Sequence, residues 1–162
     1  MGPASQLDHD SVAAGPLTRP PLLYAACLIS GLVADYVLPL PLPENAVVPR
    51  VAGGTLIVVG MAIMAAGMRN FRRASTPVPS SQPVRALVTT GIHGWSRNPI
   101  YIGMFSLYAG IGLAARSPWV LLLLVPLAVV MRYGVVAREE AYLERRFGAA
   151  YRDYKASVRR WL

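Results

Sequence analysis

The chain is nearly without cysteine, histidine and lysine, and each shortage excludes something. Cys27 is the only cysteine in 162 residues, so no intrachain disulfide can form, and it lies within an apolar run. His9 and His93 are the only histidines and make no metal-ligand cluster. Lys155 is the only lysine, so arginine supplies the rest of the sixteen basic residues. Charged residues of both signs make up only 15% of the chain, against 54% hydrophobic residues. With a mean hydropathy of +0.43, that is too apolar for an ordinary soluble domain and points to a membrane protein. The formal net charge is +8. Because the basic residues flank apolar runs, attraction to anionic lipid headgroups accounts for the excess better than nucleic acid does. The first twenty residues have no basic stretch leading into a cleavable apolar core, and residues 1–20 read as a mobile tail. Arg159-Arg160-Trp161-Leu162 is no prenylation signal.

Four apolar segments stand out. They run from Leu22 to about Leu40, from about Val47 to Met68, from Ile100 to Ala115 and from Trp119 to about Val136. A hydrocarbon core of about 30 Å needs roughly 20 helical residues. The first two segments are long enough, and tilt or burial accommodates the slightly short third and fourth. Arg116-Ser117-Pro118 makes the last two an antiparallel hairpin. Gly60 and Gly67 offer a small-residue face for close helix packing. The expected fold is all-α: a bundle of about four transmembrane helices and a C-terminal amphipathic cytoplasmic helix. Residues 21–68 hold the first two spans, and 69–162 hold the remainder as one core.

Arginine placement predicts orientation. Thirteen of the sixteen basic residues fall at Arg19, within 69–98 or within 137–162. Only Arg50 and Arg116 lie in the opposite loops, and Arg132 lies inside the fourth segment. The expectation is a multi-pass protein of the inner (cytoplasmic) membrane with both termini cytoplasmic. The connection 69–98 is long for a helical hairpin, a length often associated with function, and Pro77, Pro79 and Pro83 stiffen its first part. In 137–162, Leu143, Phe147, Tyr151, Tyr154, Val158 and Trp161 follow helical spacing. That face would bury its aromatics among headgroups, with a kink at Gly148.

The most informative stretch is Arg97-Asn98-Pro99-Ile100-Tyr101-Ile102-Gly103. A structural account exists for it: Asn98 as N-cap, Pro99 as first helical residue, Arg97 on lipid phosphate, Tyr101 in an aromatic belt and Gly103 as a packing contact. A functional account arises from the pair Glu139-Glu140 at the end of the next apolar segment, because polar groups at neighbouring helix ends converge. Glu139 shares a face with Leu143 and Phe147, which aims it at packed structure. Arg132, seven residues earlier, falls on the same face, and an arginine that deep needs a partner or a polar cavity. Asp35 reads as structural, near the outer end of the first segment. His93 stands close enough to the motif to be a candidate.

These residues resemble the isoprenylcysteine carboxyl methyltransferase and phospholipid methyltransferase superfamily of integral membrane enzymes. The family pattern is Leu-Val-x-x-Gly-x-Tyr, then Arg-His-Pro-x-Tyr-x-Gly opening a helix, a membrane hairpin, Glu-Glu, and Phe-Gly-x-x-Tyr-x-x-Tyr. The chain has Leu87-Val88-Thr89-Thr90-Gly91-Ile92-His93, Arg97 to Gly103, Glu139-Glu140 and Phe147-Gly148-Ala149-Ala150-Tyr151-Arg152-Asp153-Tyr154 in the same order, over residues 71–162. The resemblance implies S-adenosylmethionine as methyl donor at the cytoplasmic face. Arg97, Asn98, Pro99, Tyr101, Gly103, Glu139 and Glu140 would bind it, and the following tail would fold over it. No Gly-x-Gly-x-x-Gly follows a strand, in keeping with a site outside any Rossmann domain. Glu139, Arg132 and His93 are the candidate catalytic residues: Glu139 or His93 as base, Arg132 on an acidic group of the substrate. The acceptor would be a lipophilic small molecule or lipid, either an isoprenylcysteine-type carboxylate or a lipid headgroup. Asn98 replaces the family histidine and cannot titrate. An NADPH-dependent membrane reductase of the sterol-reductase type is the rival enzyme reading, but Glu139-Glu140 stands where a more basic nucleotide signature would be expected. A small transporter or non-enzymatic membrane protein is the third, against which stands the lack of an internal repeat.

Overall fold

A computed structural model describes residues 19–40, 47–78 and 83–162, and contains no strand among them. Its helices are α1 (Pro20–Val37), α2 (Val47–Arg73), α3 (Pro99–Ala114), α4 (Pro118–Val130), α5 (Ala137–Phe147) and α6 (Ala149–Ser157). Most of the expected tail 1–20, His9 and Pro79 lie outside the described residues. Proline opens α1, α3 and α4, where its missing N–H costs nothing and its fixed φ suits the first turn. Ser117 caps α4 by accepting from the Val120 amide at 3.0 Å.

The main packing is α2 against α3, and glycine makes it close. Gly53, Gly60 and Gly67 recur every seven residues on α2, and Gly103 and Gly110 do so on α3. A Cβ built on Gly60 would stand 2.6 Å from the Gly103 carbonyl oxygen, so the two backbones are in contact there. Gly60→Leu is expected to lower the thermal unfolding midpoint in detergent sharply, since overpacking costs about 1–3 kcal/mol even where side chains can give. Gly54, beside which a Cβ meets nothing within 4 Å, provides the control: Gly54→Leu should leave the midpoint nearly unchanged. On the other side, α1 rests on α4, with Gly31 against Val120.

Among the described residues, three helices are long and apolar enough to cross a membrane, and α3 is a shorter apolar one. This is a multi-pass membrane protein. The fourth apolar segment belongs to a longer helix, because α4 runs through a π turn at Met131–Val136 into α5 as one helix, Pro118–Phe147. Thirty residues span about 45 Å, more than a hydrocarbon core of about 30 Å. The apolar part ends near Ala137, so the charged end from Arg138 onward projects beyond the bilayer.

The π turn also corrects the face assigned to Arg132. Seven residues return to the same side only in a regular α-helix. A turn closed by i→i+5 bonds holds an extra residue and spoils that alignment. Glu139 therefore faces inward, 6% exposed, while Arg132 is exposed with its guanidinium over the Tyr133 ring.

The tail differs from one kinked amphipathic helix as well. Gly148, at φ 54° and ψ −120°, breaks it into α5 and α6. The helix ends at Ser157, and Val158 turns to extended backbone. Tyr151 and Tyr154 are buried against the protein rather than among headgroups, because residues 83–98 and α5 form the wall they pack on.

Candidate active site

The start of α3, the start of α5, α6 and the 83–98 connection surround one cavity, mainly apolar but carrying ionisable groups. Arg97, Asn98, Pro99, Tyr101, His93, Glu139, Glu140, Tyr151 and Tyr154 all line it. Each arrives for a local reason. Pro99 starts α3, so Asn98 and Arg97 stand just before its first turn. Two consecutive glutamates at the start of α5 are both buried. The break at Gly148 lets α6 fold back with its tyrosines inward.

Glu140 is the centre of charge. Its Oε1 lies 3.2 Å from Arg97 Nη1, and Arg160 donates to it twice, from Nε at 3.0 Å and Nη2 at 2.7 Å. The Arg97 side chain is only 8% exposed. Its Nε and Nη1 have no directed hydrogen-bond partner among the described residues. Glu140 is the anionic partner without which a buried guanidinium would be costly. Arg160 is held protonated above its ordinary value, chiefly by its hydrogen bonds to Glu140.

Glu139 is different. Tyr101 Oη donates to its Oε1 at 2.7 Å. Burial pushes its carboxyl up to about 7, the Tyr101 hydrogen bond lowers it somewhat, and the neighbouring Glu140 charge raises it. A carboxyl in that range exchanges a proton near neutrality.

Asn98 occupies the N-cap position yet makes no side-chain cap. Its Nδ2 donates instead to the Arg160 carbonyl at 3.0 Å. The same carbonyl accepts from Ser96 Oγ at 3.2 Å, and the Arg97 amide donates to the Arg159 carbonyl at 2.9 Å. Residues 159–160 are thus held against the residues just before α3.

His93 is 3% exposed. Its Nδ1 faces Asn70 Nδ2 at 3.3 Å, its ring stands edge-on to Phe71, and its carbonyl accepts from Tyr154 Oη at 2.7 Å. Burial pushes the imidazole down to about 4. Folded His93 therefore resists a proton that the unfolded chain accepts below about 6.5. Its contribution to stability is complete above that pH and declines as pH falls toward 4. Unfolding midpoints taken at pH 7 and pH 4.5 should show a smaller acid-induced loss in His93→Gln than in the unsubstituted chain.

Two sequence candidates stand outside this site. Gly103 is two residues, about 200°, from Tyr101 around α3, and it packs on Met64 and Gly60. Arg132 is on the outer surface, for the reason given above. Three contributors were not anticipated. Asn70 also donates to the Thr90 carbonyl at 2.7 Å, Tyr151 is almost wholly buried, and Arg160 pairs with a residue twenty positions away, which no local pattern announces.

This cavity has a volume of about 60 Å³, room for only a few waters at about 10–15 Å³ each. Beside it runs an apolar groove of about 500 Å³, bordered by Pro20 to Leu28 of α1, Met64 and Met68 of α2 and Ile100 to Ile111 of α3. Val78, Ile100 and Tyr101 belong to both. Among the described residues no group of acids, histidine and cysteine could hold a metal ion.

Residues 48–150 fit the family described as phospholipid methyltransferase. A 27-residue stretch is 67% identical to an uncharacterized protein of Haemophilus influenzae (strain ATCC 51907 / DSM 11121 / KW20 / Rd), covering 17% of this chain and 43% of that protein. The chain thus spans less than half the length of that curated relative. No solved structure matches.

Proposed function

This chain belongs to the phospholipid methyltransferase family, and we propose that it transfers a methyl group from S-adenosylmethionine to a lipophilic acceptor at the cytoplasmic face of the inner membrane. The observation that carries this reading is the junction at Tyr101. There a cavity that carries two carboxylates among mainly apolar walls meets an apolar groove bordered by α1, α2 and α3. A water-borne ligand and a lipid can meet at such a place, each in the solvent it prefers.

The residues present suit the methyl donor. Arg97, buried with donors to spare, takes a carboxylate. Glu140 takes an ammonium. Val84, Leu143 and Tyr151 offer walls for an aromatic base. When bound, S-adenosylmethionine supplies a methyl already activated on sulfonium. The chain's part is then mainly to position, and well-oriented reactants gain roughly 7–11 kcal/mol from that. A carboxylate acceptor needs no base, but an amine or hydroxyl acceptor must lose a proton. Glu139 is placed for that, with its carboxyl near 7 and Tyr101 holding one oxygen in place. Asn98 binds but does not titrate. Arg132 has no part, being outside the cavity. The arginine-rich segments support a cytoplasmic position for this site and for both termini.

Filling the groove separates the two ligands. Met104→Trp should raise the KM for a labelled-methyl acceptor in membrane lipid extract by tenfold or more, with S-adenosylhomocysteine affinity within about twofold. Equal transfer by the substituted protein would mean that the acceptor does not use the groove.

A further inference from the structure

Arg132 borders neither the cavity nor the groove. It lies inside the apolar part of the Pro118–Phe147 helix, where an arginine needs a partner. No acid of the protein supplies one. Among the described residues, the ion pairs of Glu140 and Glu144 are made with Arg97, Arg160 and Lys155. The Arg132 guanidinium stands over the Tyr133 ring instead, 5.5 Å from its centroid, and both residues are exposed. A ring attracts a guanidinium without using its N–H donors. That leaves the planar fork that fits two oxygens of a phosphate.

Depth decides what such a phosphate belongs to. Arg132 is five residues before Ala137, where the apolar part of the helix ends, or roughly 7 Å along the axis. At that depth an arginine keeps its stem in hydrocarbon and carries its head up to the membrane surface. Lipid phosphates lie there, whereas a phosphate ion would have to leave water to reach it. The helix face further into the membrane suits a lipid chain. Leu122, Val125 and Val129 are exposed and lead to Tyr133 at helical spacing. An apolar strip topped by an unpaired guanidinium has the same order as a phospholipid, chain and then phosphate. The π turn creates this surface, since regular winding would put Arg132 on the inward face of Glu139.

The headgroup class follows from charge. In a zwitterionic headgroup the phosphate already has the lipid's own ammonium beside it, and in an anionic one it does not. We propose that the outer face of this helix at Arg132 and Tyr133 binds an anionic phospholipid, with the phosphate on the Arg132 guanidinium and a chain along Leu122, Val125 and Val129. None of these residues borders the groove. This lipid is therefore not the methyl acceptor, and the site stands whether or not the chain transfers methyl groups.

Native mass spectrometry of the full-length protein, titrated in detergent with phosphatidylglycerol or phosphatidylcholine, tests the site. The unsubstituted protein is expected to hold one phosphatidylglycerol about fivefold more tightly than phosphatidylcholine, the worth of one basic residue at an anionic surface. Arg132→Gln should lose that preference and Tyr133→Leu should weaken it. Arg145→Gln, at an exposed arginine of α5, should keep it. Without lipid, Arg132→Gln should unfold at the same temperature as the unsubstituted protein. An equal loss of preference in Arg145→Gln would overturn the site, because the attraction would then belong to the basic surface as a whole. Equal retention of the two lipids would overturn it too. So would displacement of phosphatidylglycerol by millimolar inorganic phosphate, which would make this a site for the free anion. A lipid-free midpoint that falls in Arg132→Gln would place the partner of Arg132 inside the protein and contradict the proposal as well.

Discussion

Glu140→Gln is expected to weaken S-adenosylhomocysteine binding by at least a hundredfold and to abolish methyl transfer. Glu140 faces two guanidinium groups, Arg97 at 3.2 Å and Arg160 at 2.7 Å. An amide of the same shape keeps one acceptor oxygen and loses the charge. Arg97, 8% exposed, is then a buried cation without a counter-charge. Breaking a buried pair from one side costs about 3–5 kcal/mol. Arg160 is partly exposed and loses less, because solvent screens it. The variant should therefore unfold at a lower temperature as well as bind poorly. Glu140→Asp separates the two effects: it keeps the charge on Arg97, restoring much of the stability, but shortens the reach to any ligand. Recovery of stability without recovery of binding is the expected result, read by thermal unfolding and calorimetry on the same samples.

Glu139→Gln should lower the methyl-transfer rate by about 10²–10⁴, the range for loss of a positioned base, for an acceptor that must shed a proton. S-adenosylhomocysteine affinity should change by only a few fold. The pH profile sharpens this. With the carboxyl raised to about 7, the unsubstituted rate should climb as pH rises through 7, and the variant should lose that limb. Tyr101→Phe removes the hydrogen bond that favours the ionised form, so the limb should move to higher pH. Stability must run the other way. A carboxyl raised from about 4.5 to about 7 on folding gives stability that is full below about 4.5 and lost as pH rises through 7. Glu139→Gln should accordingly be the more resistant protein at pH 8. A rate profile with no limb near 7 would assign the acceptor to the carboxylate class.

The membrane helices and the convergence of Arg97 to Tyr101 with Glu139 and Glu140 are legible in the chain because they rest on local signals. Apolar runs, N1 prolines and two adjacent acids at a helix end all act within a few residues. The features that could not be foreseen depend on geometry between elements. The π turn at Met131–Val136 leaves no composition signal, yet it decides that Arg132 points outward while Glu139 points in. Gly103 belongs to the conspicuous stretch by sequence, but helical pitch turns it to Gly60. Asn98 has the ideal identity for a cap and spends its amide on the Arg160 carbonyl instead. Gly148 predicted a bend; the left-handed backbone there breaks the helix, and Tyr151 and Tyr154 beyond it line the cavity.

The central claim is that Arg97 to Tyr101 and Glu139-Glu140 form one pocket for S-adenosylmethionine. Calorimetric titration of S-adenosylhomocysteine into the folded, unsubstituted protein tests it most directly. Saturable one-to-one binding is predicted, with no heat from NADPH under the same conditions. A folded sample that binds NADPH, or that gives no heat with S-adenosylhomocysteine, would contradict it.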